Sequence, residues 1–173
     1  MKILLSSILV VLLFLTNQVF SEQKIAYIDM DRIFSASKSG SSILKQLTEL
    51  NNKNLNFLKN EEKKFKEKEI KLISQKNIIS ETNFKNKVDE LKSEIKNYNQ
   101  KRNEMLADFN KLKLDNTNNF LKLINSILVK FSNDKGISII LKKNDLVVAN
   151  TELDITDEVI KIVNIEVKEF KIK

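Results

Sequence analysis

FKNKVDELKSEIKNYNQKRNEMLADFNKL, residues 84 to 112, carries apolar side chains at steps of four and three: Phe84, Val88, Leu91, Ile95, Tyr98, Met105, Phe109 and Leu112. Arg102 stands where one more would fall. After Asn116 the stripe runs on through Phe120, Leu123, Ile127 and Phe131. Steps averaging about 3.5 residues hold one narrow seam on one side of a helix, the pattern of a helix packed lengthwise along a partner. A stripe of about two residues in seven is narrower than the apolar face of a globular core helix. The spacing predicts a long arm.

The stretch before it is helical too, with a poorer seam. Leu44, Leu58, Phe65, Leu72 and Ile79 fall on one heptad series, helped near its start by Leu47 and Leu50, while Asn51, Asn54, Glu61 and Lys68 dilute it. Between the two halves, Ser80 is suited to cap a new helix, with Glu81 in the first turn complementing the helix dipole. Residues 41–131 contain neither Gly nor Pro. They read as a helical hairpin whose arms reach about 50 to 70 Å and return the chain to near its start. For Arg102 two readings stay open: it pairs with a first-arm carboxylate such as Glu61 to set register, or it marks a kink.

Working outward, the chain opens with Lys2, an apolar run over residues 3–15, and Val19-Phe20-Ser21 with small residues at the −3 and −1 positions of a cleavage site. That run falls short of the roughly 20 residues a membrane-spanning helix needs. Residues 1–21 therefore read as a cleavable signal peptide, and the mature chain from Glu22 as exported. The absence of Cys leaves packing, not disulfides, to stabilise it.

The charge is unevenly placed. Residues 41–131 hold 19 Lys and Arg against 12 Asp and Glu, a surplus of seven, whereas the rest of the mature chain is nearly neutral. Solvated helices are often rich in Lys and Glu, so the surplus has a plain reading. Its functional reading is long-range, salt-dependent attraction to acidic polypeptides or to anionic lipid.

Lys24-Ile25-Ala26-Tyr27-Ile28-Asp29-Met30 reads as a strand with apolar residues on both faces, which suits a central strand. Asp31-Arg32-Ile33-Phe34 begins a short helical turn, and residues 35–42, with Gly40, break it before the first arm. After the second arm, Gly136 suits a left-handed helix exit. Residues 137–142 and 146–150 read as two strands joined by a turn at Lys143-Asn144-Asp145. Thr156 then caps a last helix whose inner face is Val159, Ile160 and Val163, extending to Val167, and residues 168–173 read as frayed.

The fold class is α+β: a small β-sheet body, residues 22–40 and 132–173, with a protruding antiparallel helical hairpin over residues 41–131. A body of about sixty residues is marginal alone, which favours oligomerisation through a sheet carrying Ile25, Tyr27, Ile28, Ile139, Leu141 and Val147.

The chemistry of catalysis finds no foothold. There is no His or Cys, no Gly-rich phosphate loop and no Ser in a nucleophile setting. Neighbouring carboxylates such as Glu61-Glu62, Asp89-Glu90 and Asp157-Glu158 point in different directions from a helix and suit no metal. The reading is a non-enzyme with no cofactor and no metal.

The order of leader, strand, charged hairpin, strand pair and capped helix resembles the Skp/OmpH family of periplasmic chaperones. The residues that carry the resemblance are Lys24-Ile25-Ala26-Tyr27-Ile28-Asp29-Met30, Asp145-Leu146-Val147-Val148, and Asp154-Ile155-Thr156-Asp157-Glu158-Val159-Ile160-Lys161. The resemblance implies a periplasmic homotrimer whose hairpins surround a cavity that holds unfolded outer-membrane proteins without ATP. The chain departs from the better-known members in the thin seam of its first arm, its Asn-rich arms and a C-terminal run past Asn164.

Leu55, Phe57, Ile70, Ile73 and Leu114 lie off the main seams and are the candidate contacts for such clients, against the alternative that each caps the seam or sits singly on the surface. The rival function is an exported coiled-coil tether with one defined envelope partner. Nucleic acid is not expected as a partner, since only the charge points to it and the leader points away.

Overall fold

The computed structural model describes residues 23–167 and 170–172. The expected signal peptide lies outside the described residues. In chain order the elements are strand β1 (Lys24–Ile28), helix α1 (Met30–Ala36), helix α2 (Lys38–Gln75), helix α3 (Glu81–Lys135), strand β2 (Ile137–Lys142), 3-10 turns at Lys143–Asp145 and Thr151–Leu153, and helix α4 (Thr156–Glu166). Helices α2 and α3 form the hairpin, and at 1.5 Å per residue they run about 57 and 82 Å. None of the described helices is long and apolar enough to cross a membrane.

The hairpin turns where the sequence indicates. Ser80 accepts a hydrogen bond from the Asn83 amide at 3.3 Å and caps α3, with Glu81 in its first turn. Gly136 ends α3 in the left-handed region, φ 65°, its amide directed at the carbonyls of Asn133 and Ser132.

The joint between α1 and α2 is tighter than the expected break over residues 35–42. It is Ser37 alone, whose hydroxyl accepts from the Gly40 amide at 3.2 Å. Gly40 lies inside the first turn of α2 and is buried. A Cβ there would stand 2.0 Å from the Phe34 carbonyl oxygen, so the glycine serves a close approach of two helices rather than an interruption.

β1 and β2 pair in parallel, with Ile25 opposite Ile139 and Tyr27 opposite Leu141. The whole hairpin is thus the crossover between them, as parallel neighbours require. On the other side of β1, the Ile155 amide donates to the Tyr27 carbonyl at 3.1 Å and Asp154 bridges to Tyr27. β1 is central, as its sequence implies.

The third strand expected over residues 146–150 does not form, and Val147 and Val148 are 100% and 88% exposed. Both edges of β1 are already taken. The chain after β2 is also drawn across the end of β1 rather than back along β2, by an ion pair from Lys143 to Asp29 at 3.1 Å and a hydrogen bond from Asn144 to Asp31 at 3.2 Å.

The body core gathers Ile28, Ile33, Ile43, Leu47, Phe120, Ile124, Ile127, Val159 and Val163. Both arms therefore root their body ends in it. At these roots the buried stripe moves off the arm's heptad series: Ile43 is inside and Leu44 is 42% exposed, Ile124 is inside and Leu123 is 40% exposed. A helix there faces α1, α4 and the sheet as well as its partner arm, so its apolar face widens and rotates.

Thr156 is not the N-cap of α4 but its first helical residue, after Ile155, which makes no side-chain cap. It is fully buried. Its amide donates to Asp154 Oδ1 at 2.9 Å, its hydroxyl donates to the same oxygen, and it accepts from the Asp29 amide at 2.9 Å. One threonine thus ties the last helix to the end of β1. Nor is the terminus free over its described residues: Phe170 and Ile172, expected to fray, pack against the body core.

Candidate functional site

The arms present the candidate surface, and their pairing varies along their length. Midway, Tyr98 on α3 donates its hydroxyl to Glu62 Oε1 on α2 at 2.8 Å, and the Phe65 ring meets the tyrosine edge-on at 5.3 Å. Lys68 holds Glu94 at 2.5 Å across the hairpin, and the Lys101 ammonium lies 4.7 Å from the centre of the Phe57 ring. Burial, and then the neighbouring Glu62 carboxylate, push the Tyr98 hydroxyl above the usual tyrosine range. This cluster locks the two helices together.

Between that lock and the body the arms part around a cleft of about 440 Å³ lined by Asn51, Leu55, Leu58, Arg102, Met105 and Leu106 among others. Asn51 and Asn54, which dilute the first-arm seam, both border it. Arg102 borders the cleft too. The expected pairing with Glu61 does not appear: Glu61 pairs with Lys64 at 2.7 Å, and no ion pair of Arg102 occurs among the described residues.

The seam residues Phe84, Val88, Leu91, Tyr98, Met105, Phe109 and Leu112 are all half-buried, while Ile95 sits at the margin with 37% of its surface exposed. Off the seam, Leu55, Ile70, Ile73 and Leu114 are between 55% and 65% exposed. Leu55 and Ile73, eighteen residues apart, are five helical turns apart and share one face of α2. Phe57 differs from these four, being half-buried under Lys101. Leu106 belongs with the exposed set at 59% and was signalled only by its place beside the seam residue Met105.

In the body, Tyr27 and Ile28 are buried, whereas Ile25, Ile139 and Leu141 remain 38% to 45% exposed beside one another. Among the described strands β2 has a neighbour on one side only. Its other edge offers free backbone groups, as edge strands do. Val147 is exposed but lies in no strand. At the end of β1, the Arg32 backbone amide and then Lys143 hold the Asp29 carboxyl below the usual carboxylate range. Among the described residues no cluster of three or more Asp or Glu is arranged to hold a metal ion.

A small parallel-sheet body carrying a long, lysine-rich helical hairpin defines a class of armed α+β folds. The family model for outer membrane proteins of the OmpH-like type matches residues 24–163. The chain belongs to the OmpH-like family. A solved structure of a candidate outer membrane chaperone (OmpH-like) from Caulobacter crescentus CB15 superimposes with a TM-score of 0.75 at 16% identity, over 88% of this chain and 90% of that one. It shares the fold. No curated protein matches the chain.

Proposed function

We propose that this chain is an ATP-independent holdase chaperone of the periplasm, which binds unfolded outer-membrane β-barrel proteins between its arms and delivers them for membrane insertion. The observation that carries this reading is a set of apolar side chains left more than half exposed on the arms, among them Leu55, Ile70, Ile73, Leu106 and Leu114. Membership of the OmpH-like family supports it. Scattered apolar contacts bind many sequences weakly and release them without fuel. The positive surplus of the arms draws acidic chains or anionic lipid headgroups before any apolar contact forms.

The working form is a homotrimer joined through the body, where Ile25, Ile139 and Leu141 flank the open edge of β2. The test is to dilute a urea-unfolded outer-membrane β-barrel protein into the chain lacking residues 1–21 and follow light scattering at low and moderate salt, with native mass in the same buffer. Suppressed scattering at one trimer per client, weakening with salt, is the expected result. A folded oligomer that gives no protection would end the holdase reading.

A further inference from the structure

The last described residues lie against the root of the first arm in an unusual way. Gln46 on α2 donates from Nε2 to the Phe170 carbonyl at 2.8 Å and accepts at Oε1 from the Ile172 amide at 3.4 Å. One carboxamide thus engages the carbonyl of one residue and the amide two residues on. That is the pair of groups a neighbouring strand would engage in a β-ladder. Ser42 adds a hydroxyl at 3.4 Å from the same Phe170 carbonyl and at 3.0 Å from Gln46 Nε2, which it helps to orient.

The burial pattern agrees with an extended segment. Phe170 is half-buried, Lys171 exposed and Ile172 half-buried, and the two apolar side chains pack against the body core to which Ile43 and Leu47 contribute. Alternation with period two is the signature of a strand with one covered face. Every polar contact between this segment and α2 goes to its backbone. Among the described residues nothing polar reads the side chains of residues 170–172.

We infer that Gln46 and Ser42, with the apolar floor beside them, form a binding site for extended apolar polypeptide, which the chain's own residues 170–172 occupy as a tethered competitor. The inference rests on the proposed holdase function for its physiological ligand, an unfolded client segment. Such a site selects an extended backbone with apolar residues two apart and is otherwise indifferent to sequence. A transmembrane β-strand, alternating apolar and polar over about ten residues, meets that requirement. Displacement of the tail couples filling of this site to release of the terminus from the arm root, since one segment leaves as the other enters.

The test uses a fluorescent heptapeptide of residues 167–173 and follows its anisotropy with the chain lacking residues 1–21. Phe170→Glu/Ile172→Glu, which frees the tail, is expected to bind the peptide at least tenfold more tightly than the parent. Adding Gln46→Ala is expected to remove that gain, and N-methylation of the peptide at the amide equivalent to Ile172 to weaken binding severalfold. A shuffled peptide that keeps the apolar spacing is expected to bind as well as the original.

Equal peptide binding by the freed and parent chains would overturn the inference and leave the tail a structural clasp. So would a gain that survives Gln46→Ala. Circular dichroism melts of each variant establish that it is folded at the assay temperature. Client aggregation does not enter this readout, so failure here leaves the holdase proposal standing, and failure of client protection leaves peptide binding to be judged by itself.

Discussion

Tyr98 and Glu62 face each other across the hairpin, the hydroxyl donating to the carboxylate at 2.8 Å, and they mark the point where the arms stop being held by the body and begin to hold each other. Tyr98→Phe keeps the ring against Phe65 and removes only the hydroxyl. A hydrogen bond to a charged acceptor at a partly exposed site contributes about 1 kcal/mol. Hydrogen exchange is expected to quicken over the arms from this point to the tip while the body stays unchanged. The sign with pH is fixed by the raised tyrosine pKa: the neutral hydroxyl is the form that folding favours. Its contribution is full below pH 10 and falls as pH rises through the native value. Tyr98→Phe should therefore abolish an alkaline loosening of the arms that the parent shows.

Asp29 gives the opposite limb. Its native pKa lies below 3.8 through the Arg32 amide and Lys143, so its contribution is present above that value and is lost as pH falls through the native one. Asp29→Asn keeps a cap for α1 and discards the ion pair. Urea melts should show the variant less stable than the parent at pH 7, with the gap closing in acid below about pH 3.8. A gap that does not narrow as the pH falls below 3.8 would assign the effect to something other than this carboxylate.

The two glycines should respond very differently to alanine. At Gly40 the new methyl would collide with the Phe34 carbonyl, a backbone group that cannot swing aside. Gly40→Ala is expected to cost on the order of 3 kcal/mol and to lower the melting temperature by about 10 °C. At Gly136 a Cβ meets nothing within 4 Å, and only the left-handed backbone objects. There the cost should be about 1 kcal/mol. Thermal melts of the pair decide it, and equal shifts would contradict the close approach of α1 and α2.

Leu55→Ser/Ile73→Ser removes two exposed side chains from one face of α2. Surface changes of this kind usually move stability by no more than about 0.5 kcal/mol. Melting should stay put while protection of an unfolded β-barrel protein in the scattering assay weakens several-fold. Phe57→Ser is the contrast, since that ring is half-buried under Lys101. It should disturb arm pairing in hydrogen exchange. Unaltered protection by the double variant would remove Leu55 and Ile73 from the list of client contacts.

The hairpin was legible because its information is local: a seam at 3.5-residue spacing, Ser80 before Glu81, Gly136 after Lys135. The central place of β1 was legible from apolar residues on both its faces. What the sequence did not disclose depends on partners far along the chain. Residues 146–150 have the composition of a strand but do not fold back along β2, because Lys143 and Asn144 tie the chain to Asp29 and Asp31 at the end of β1. Thr156 has the look of a cap, yet its hydroxyl serves Asp29, 127 residues earlier. Gly40 looked like punctuation, and only the proximity of Phe34 gives it meaning. On the arms, periodicity picked out off-seam apolar residues, but it had no means of separating the covered Phe57 from the open Leu55.

The parallel pairing of β1 with β2 also governs the timing of assembly. Lys24 must find Ile137, more than a hundred residues later, so a chain made from its N-terminus holds an unpaired first strand until almost everything else exists. Contacts that distant are slow to form in a loose chain. The hairpin shortens the search, because once its two helices lie side by side the ends they carry are already neighbours, and the loop left to close is a few residues long. The seam from Phe84 to Leu112 thereby acts as a splint, and weakening it should delay the body as well as loosen the tip.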